Sequence, residues 1–377
     1  MLKRISLIIL SFLISALTLC CKNNGNAPKT KSFKINYLDE YILYNDSIFD
    51  GLKIGGLSGI EYHKENDTYY IVCDNSKKPR FYEASISIKK DTFSTLTINN
   101  CFTLKEKDQL FFDTNIVDLE TLRTFGNDRL IFGSEGSIRN GSNPSIFITD
   151  QFGNYLDQFQ LPSYFHINTG SQNQPRHNGV FEGLTQDHNK TGYWVAMELP
   201  LELDGPEPTI DNPGSPIRIT HFDTSTKRAD YQFTYPLNKL PKDPKGEFGV
   251  NGVTGLIQLS SNQFLVIERG YAAGYGTQGN SVRLYLANNS KATNTLDQET
   301  LNKSLTIPAK KTLLFDFESI RNQLTENIVD NIEGITLGPK LSNGNQSLIL
   351  VSDNNFNPTS EQINQFILLE LIHSSEE

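Results

Sequence analysis

Carboxylates recur along this 377-residue chain in two registers whose chemistry suits cation binding and proton transfer. Five segments place a small or acidic residue before Gly or Thr and then an aliphatic one. They are Leu57-Ser58-Gly59-Ile60, Leu119-Glu120-Thr121-Leu122, Phe181-Glu182-Gly183-Leu184, Val253-Thr254-Gly255-Leu256 and Ile332-Glu333-Gly334-Ile335. After a turn, each is followed by a β-rich run ending on an acid: Asp74, Glu135, Glu198, Glu268 and Asp353. Together with Glu120, Glu182 and Glu333 these make eight carboxylates at ten equivalent positions, Ser58 and Thr254 taking the other two. So much like charge needs compensation. A hard divalent cation, foremost Ca²⁺, is expected among these eight, because such ions take several oxygen ligands. Glu120, Glu182 and Glu333 are the candidate catalytic acids and bases. Arg139, Arg269 and His177 are the candidates for holding an anionic substrate. The competing expectation is a lattice in which Arg80, Arg123, Arg139 and Arg269 pair with the acids and merely fix strand ends.

The elements that must position these groups follow from the repeat. Gly59, Thr121, Gly183, Gly255 and Gly334 lie 62, 62, 72 and 79 residues apart. The longer intervals contain insertions at Pro200–Pro216 and Asn288–Lys311. Each unit continues with further strand-like runs bounded by Asn, Asp and Gly turn signals. The fifth unit lacks one strand, and Phe33–Leu43 is free to supply it. This predicts an all-β β-propeller of five four-stranded blades closed by the N-terminal strand, with a sixth blade in the long fourth interval as the alternative. In a propeller the inner strand starts, and the second strand ends, at one mouth of the axial channel. Both registers of acids are therefore expected there, beside a Gly-rich lip carrying Tyr271 and Tyr275.

Lys+Arg number 34 against 43 Asp+Glu, a net charge of −9 that argues against nucleic-acid binding. No Gly-x-Ser-x-Gly elbow or His-Glu-x-x-His pair occurs. Cys73 and Cys101 fall on strands two places apart, about 9.5 Å, too far for a disulfide.

At the N-terminus, Lys3-Arg4 precedes an apolar run from Ile5 to Leu19, too short to span a bilayer and typical of an export signal. A cysteine pair closes the run, so residues 1–20 are expected to be a lipoprotein-type leader, with the lipid anchor on Cys21, or on Cys20. Residues 21–31 would be a flexible tether and 32–377 a single propeller domain, exported and lipid-anchored in the bacterial cell envelope, and monomeric.

The segments Gly56-Leu57-Ser58-Gly59-Ile60, Phe181-Glu182-Gly183-Leu184-Thr185, Asn331-Ile332-Glu333-Gly334-Ile335-Thr336, Ile267-Glu268-Arg269-Gly270 and Leu350-Val351-Ser352-Asp353-Asn354-Asn355-Phe356 resemble the phytase-like family, described by its esterase-like activity of phytase. The resemblance spans about Gly55 to Leu371. The Glu-Gly pairs are also similar to those of gluconolactonase-like propellers, which hold a metal in the channel. The resemblance implies an exported hydrolase of phosphate or carboxylic esters of small molecules. The alternatives are a lactonase, or a non-catalytic surface propeller that binds a glycan, peptide or protein.

Overall fold

A computed structural model describes residues 31–106, 115–167, 170–356 and 362–375. The expected leader, both candidate anchor cysteines and all but the last residue of the tether lie outside the described residues.

Second strands read as continuous apolar runs, such as Leu130-Ile131-Phe132 and Leu348-Ile349-Leu350-Val351, and these residues are buried. Burial without alternation means that both faces of the sheet are covered. Outermost strands behave differently: Tyr155–Gln158 alternates between half-buried and exposed positions. Five four-stranded antiparallel sheets satisfy both patterns. Blade one is Ile60–His63, Thr68–Cys73, Arg80–Lys89 and Thr92–Thr103. Blade two is Leu119–Thr124, Arg129–Ser134, Ser145–Asp150 and Tyr155–Gln158, and blade three is Phe181–Gln186, Gly192–Met197, Ile217–Asp223 and Arg228–Tyr235. Blade four is Gly249–Ser260, Gln263–Ala272, Asn280–Asn288 and Lys310–Asp316. Blade five runs outward through Ile332–Lys340, Gln346–Ser352 and Asn364–Ser375, and the N-terminal strand Lys31–Leu43 completes it. Closing the ring with the chain's first strand removes the free sheet edges that an open array would leave.

The long fourth interval hides no sixth blade. Its insertion packs on the outer strand of blade three, where Thr295 and Ala309 donate backbone hydrogen bonds to the Gln232 and Thr234 carbonyls. The core lies between neighbouring blades. Phe132 stacks on Phe147 of its own blade and meets Phe81 of blade one at 5.5 Å, while Trp194 of blade three meets Phe264 of blade four at 5.2 Å. Cys73 and Cys101 are free thiols on the second and fourth strands of blade one.

The glycine of the repeated motif has a packing reason. A Cβ on Gly59 would lie 2.9 Å from the Glu120 carbonyl oxygen, and one on Gly255 would lie 2.8 Å from that of Glu333. Inner strands of adjacent blades thus approach more closely than a side chain would permit, and the axis narrows where the acids begin.

Candidate functional site

The first register of acids owes its direction to β-bulges. In blade two the pairing steps from Leu119–Ser134 to Thr121–Gly133, leaving Glu120 opposite nothing. Glu182, Thr254 and Glu333 are skipped in the same way in blades three, four and five. A bulged residue leaves the ladder and its side chain is re-aimed, and Glu120, Glu182 and Glu333 all line the channel mouth. The small hydroxyls do other work. Ser58 and Thr254 donate to the Leu119 and Ile332 carbonyl oxygens at 3.0 and 3.2 Å, stitching each blade to the next.

The second register sits one ladder step beyond the bulge. Backbone N–H groups of Asp74, Glu135, Glu198 and Asp353 donate to the Gly56, Asp118, Val180 and Asn331 carbonyls. In blade four the residue at that place is Arg269, paired with Gly252. Glu268, expected in the acidic ring, is one residue out of step and stands outside the cavity. Its carboxylate accepts from Tyr235 Oη at 2.7 Å and Asn251 Nδ2 at 3.1 Å, and it is ion-paired with Lys311. Because side chains alternate across a strand, a one-residue shift moves the acid to the other face.

The mouth is a cavity of about 720 Å³. Seven of the eight expected acids line it, and Asp118 and Asp330 join them, making nine carboxylates. Asp118 lies two residues before the bulged Glu120, so the period of the strand could have marked it. Asp330 comes from the loop before blade five and had no such signal.

Arg269 is the one basic side chain in this lining among the described residues. Its Nη2 reaches Glu198 Oε1 at 3.3 Å and Glu333 Oε1 at 3.1 Å, and its buried Nε has no hydrogen-bond partner. The expected arginine lattice is therefore a single residue. Arg80 bonds Tyr82 and the Lys53 and Lys78 carbonyls. Arg123 crosses the axis deeper in, donating to the Ile60, Leu122, Leu256 and Ile335 carbonyls. Arg139 is exposed and His177 half-buried; neither lines the cavity. They are electrostatic neighbours, since Arg139 adds to the effect of burial in lowering the His177 pKa.

Electrostatics reflects the crowding. Burial, chiefly, raises Asp74 to about 6, Asp118 and Glu333 each to about 7, and Glu135 to about 8. Burial and then neighbouring carboxylates lift Glu120, Glu182 and Asp353 well above the usual carboxylate range. These groups share protons and titrate as a set.

One corner is arranged for a cation. Glu120, Glu135 and Glu182 each offer a carboxylate oxygen, and the three lie within 4.8 Å of one another. Two oxygens bound to one Ca²⁺ at about 2.4 Å stand no more than about 4.8 Å apart, so the spacing fits. Glu182 Oε2 is buried without a hydrogen-bond partner, an expensive condition that a ligand would relieve. Glu135 is held in place from behind. Asn178 at φ 50° turns the chain so that the Gly179 and Val180 N–H groups both donate to Glu135 Oε1, at 2.8 and 2.6 Å.

Solved structures with similar chains include the endo-arabinase of Bacteroides thetaiotaomicron, at 12% identity over 86% of this chain and 95% of that one, TM-score 0.44. Another is the major Malassezia sympodialis allergen Mala s 1, at 14% identity over 85% and 81%, TM-score 0.42. No curated protein sequence matches the chain. A family model described as phytase-like, esterase-like activity of phytase, matches residues 52–356. That span takes in four whole blades and both acid-bearing strands of the fifth, and the chain belongs to the phytase-like family.

Proposed function

We propose that the protein is a divalent-cation-dependent hydrolase of phosphate or carboxylic esters of small molecules, working in the carboxylate-lined mouth. The observation that carries this reading is the Glu120, Glu135 and Glu182 corner, with three carboxylate oxygens at cation spacing, together with the buried Glu182 Oε2 that has no hydrogen-bond partner. These residues would hold the ion, Ca²⁺ being the first choice for an all-oxygen donor set. A bound ion of this kind polarises a phosphoryl or carbonyl oxygen and lowers the pKa of water.

The chain's own residues do the rest. Glu333 is kept in orientation by Asn331 Nδ2 at 2.8 Å and Arg269 at 3.1 Å, and its pKa near 7 suits removal of a proton from water. Arg269 lines the cavity with its guanidinium oriented by Glu198 and Glu333, and is the residue that would meet an anionic oxygen. Burial of the acids keeps bulk water from screening these interactions. Export and a lipid anchor on Cys21 belong to the same proposal, supported by Lys3-Arg4 and the apolar run from Ile5 to Leu19 that ends at the cysteine pair; Cys21→Ser should move the protein from the membrane fraction to the soluble one.

The test is hydrolysis of p-nitrophenyl phosphate, p-nitrophenyl acetate and a lactone, with Ca²⁺ and with chelator. Chelation should abolish turnover of one ester class, and Glu182→Gln with Glu333→Gln should do the same. Turnover indifferent to chelator, or intact in the double variant, would defeat the proposal. The single arginine in the lining favours this reading over a purely adhesive propeller, whose acids would be neutralised by side chains.

A further inference from the structure

Blade four stands taller at the mouth than its neighbours. The inner strands of blades two, three and five begin one residue before the bulge, at Leu119, Phe181 and Ile332. That of blade four begins at Gly249, five residues before Thr254, and its second strand continues to Ala272. The added ladder pairs Gly252 with Arg269 and Val250 with Tyr271. The two pairs are two residues apart, so they share one face. That face is the cavity wall, because Arg269, Tyr271 and Val250 all line the cavity. Going outward, the wall presents Arg269, then Tyr271 with Val250, then Phe248, each two-residue step rising about 7 Å.

Phe248 lines the cavity yet is 58% exposed, and its ring centre lies 6.1 Å from that of Tyr271 at an interplanar angle of 39°. Ile328 adds a further apolar group. An inorganic ion, or a ligand that is charged all over, gains nothing from this apolar shelf. Charge points the same way. Nine carboxylates face one arginine, whose Nη2 is already shared between Glu198 and Glu333. One cation and one guanidinium can receive one anionic group; among the described residues a further phosphate on the same ligand would find no second positive side chain in the lining.

We infer that the site takes an ester with a single anionic or polar head and an apolar ring. The head sits at the level of Arg269 and the cation corner, and the ring lies about 7 Å farther out on Tyr271 and Phe248. A polyphosphorylated polyol is not its ligand. This rests on the reading of the mouth as a cation-dependent ester site, and binding can be measured apart from turnover.

Calorimetric titration of the purified chain in excess Ca²⁺ would use 3-phenylpropylphosphonate and 4-phenylbutyrate, whose rings can reach Tyr271 while the head stays at Arg269, against their methyl-terminated counterparts propylphosphonate and butyrate, with glucose 1,6-bisphosphate as the doubly charged probe. At least one phenyl ligand should bind about tenfold more tightly than its methyl counterpart, as burial of one ring face predicts. Phe248→Ala should remove most of that preference while leaving the methyl ligand's affinity unchanged, and Phe248→Trp should keep it. The exposed ring makes both variants safe for folding. Equal binding of phenyl and methyl ligands, a preference untouched in Phe248→Ala, tighter binding of the bisphosphate, or no binding of any probe would each overturn the inference. Ring preference without ester turnover would leave it standing while defeating the hydrolase reading; turnover without ring preference would do the reverse.

Discussion

Glu268 and Arg269 are consecutive residues of one strand that serve opposite faces of blade four. Arg269 reaches into the mouth and bridges Glu198 of blade three to Glu333 of blade five, whereas Glu268 binds Tyr235 of blade three and Lys311 of its own blade. The two faces should separate by mutation. Glu268→Ala leaves Lys311 and Tyr235 without their buried acceptor, an expected loss of about 3 kcal/mol in urea unfolding. Cation affinity, measured by calorimetry, should stay as it is. A large loss of cation affinity would mean that Glu268 belongs to the mouth after all.

Arg269→Met removes the one basic side chain that lines the cavity among the described residues. Without a cation, the midpoint of urea unfolding should fall, with a stability loss of about 3 kcal/mol, because Glu198 and Glu333 are left buried and unpaired. Added Ca²⁺ should recover more stability in this variant than in the parent. If the variant unfolds at the parental urea concentration, the ion pairs carry no net stabilisation.

Saturating cation should stabilise the parent protein through the Glu120, Glu135 and Glu182 corner. At about a hundredfold excess over Kd the gain is about 2.7 kcal/mol. Glu120→Gln combined with Glu182→Gln should erase that gain, read as the Ca²⁺-dependent shift in Tm. A shift of parental size in the double variant would put the ion elsewhere.

Stability should depend on pH in the direction opposite to that of a salt-bridged carboxylate. Glu135, Glu333 and Asp118 keep protons up to about 8, 7 and 7 in the folded protein, against about 4 in the unfolded chain. Between those values the folded state binds more protons than the unfolded one, so stability falls as pH rises. Their contribution is full below about pH 4 and is lost as pH climbs through 7 to 8. Calorimetry with chelator present should show Tm dropping between about pH 5 and pH 8, and Ca²⁺ should cancel much of the drop by replacing the protons. A chelated protein whose Tm rises over that range would contradict the account.

Gly255→Ala probes the close approach of the inner strands. Its new methyl would meet Ile267 Cδ1 at 2.6 Å and the Glu333 carbonyl oxygen at 2.8 Å. Backbone yields poorly, so a loss of about 2 kcal/mol is expected in urea unfolding. An unchanged midpoint would show that the blades can move apart without penalty.

The repeat of acid or hydroxyl, then Gly or Thr, then an aliphatic residue was readable as a sequence period, and with it the five blades and the N-terminal strand that closes them. Apolar runs marked the second strands because both of their faces are covered, and turn residues marked their limits; these are local signals. The same period located Glu120, Glu182, Glu333, Asp74, Glu135, Glu198 and Asp353 at one mouth. The tertiary structure alone decided how each blade is registered. The bulges that free Glu120, Glu182 and Glu333 leave no mark in residue type, and a shift of one residue in blade four exchanged Glu268 for Arg269. Asp330 joined the site from a loop whose path depends on contacts distant in the chain. The raised wall of Val250, Tyr271 and Phe248 likewise exists only because two strands keep pairing past the mouth. Periodicity states which residues are equivalent; the face each one serves depends on hydrogen-bond pairing between strands, which a linear pattern does not contain.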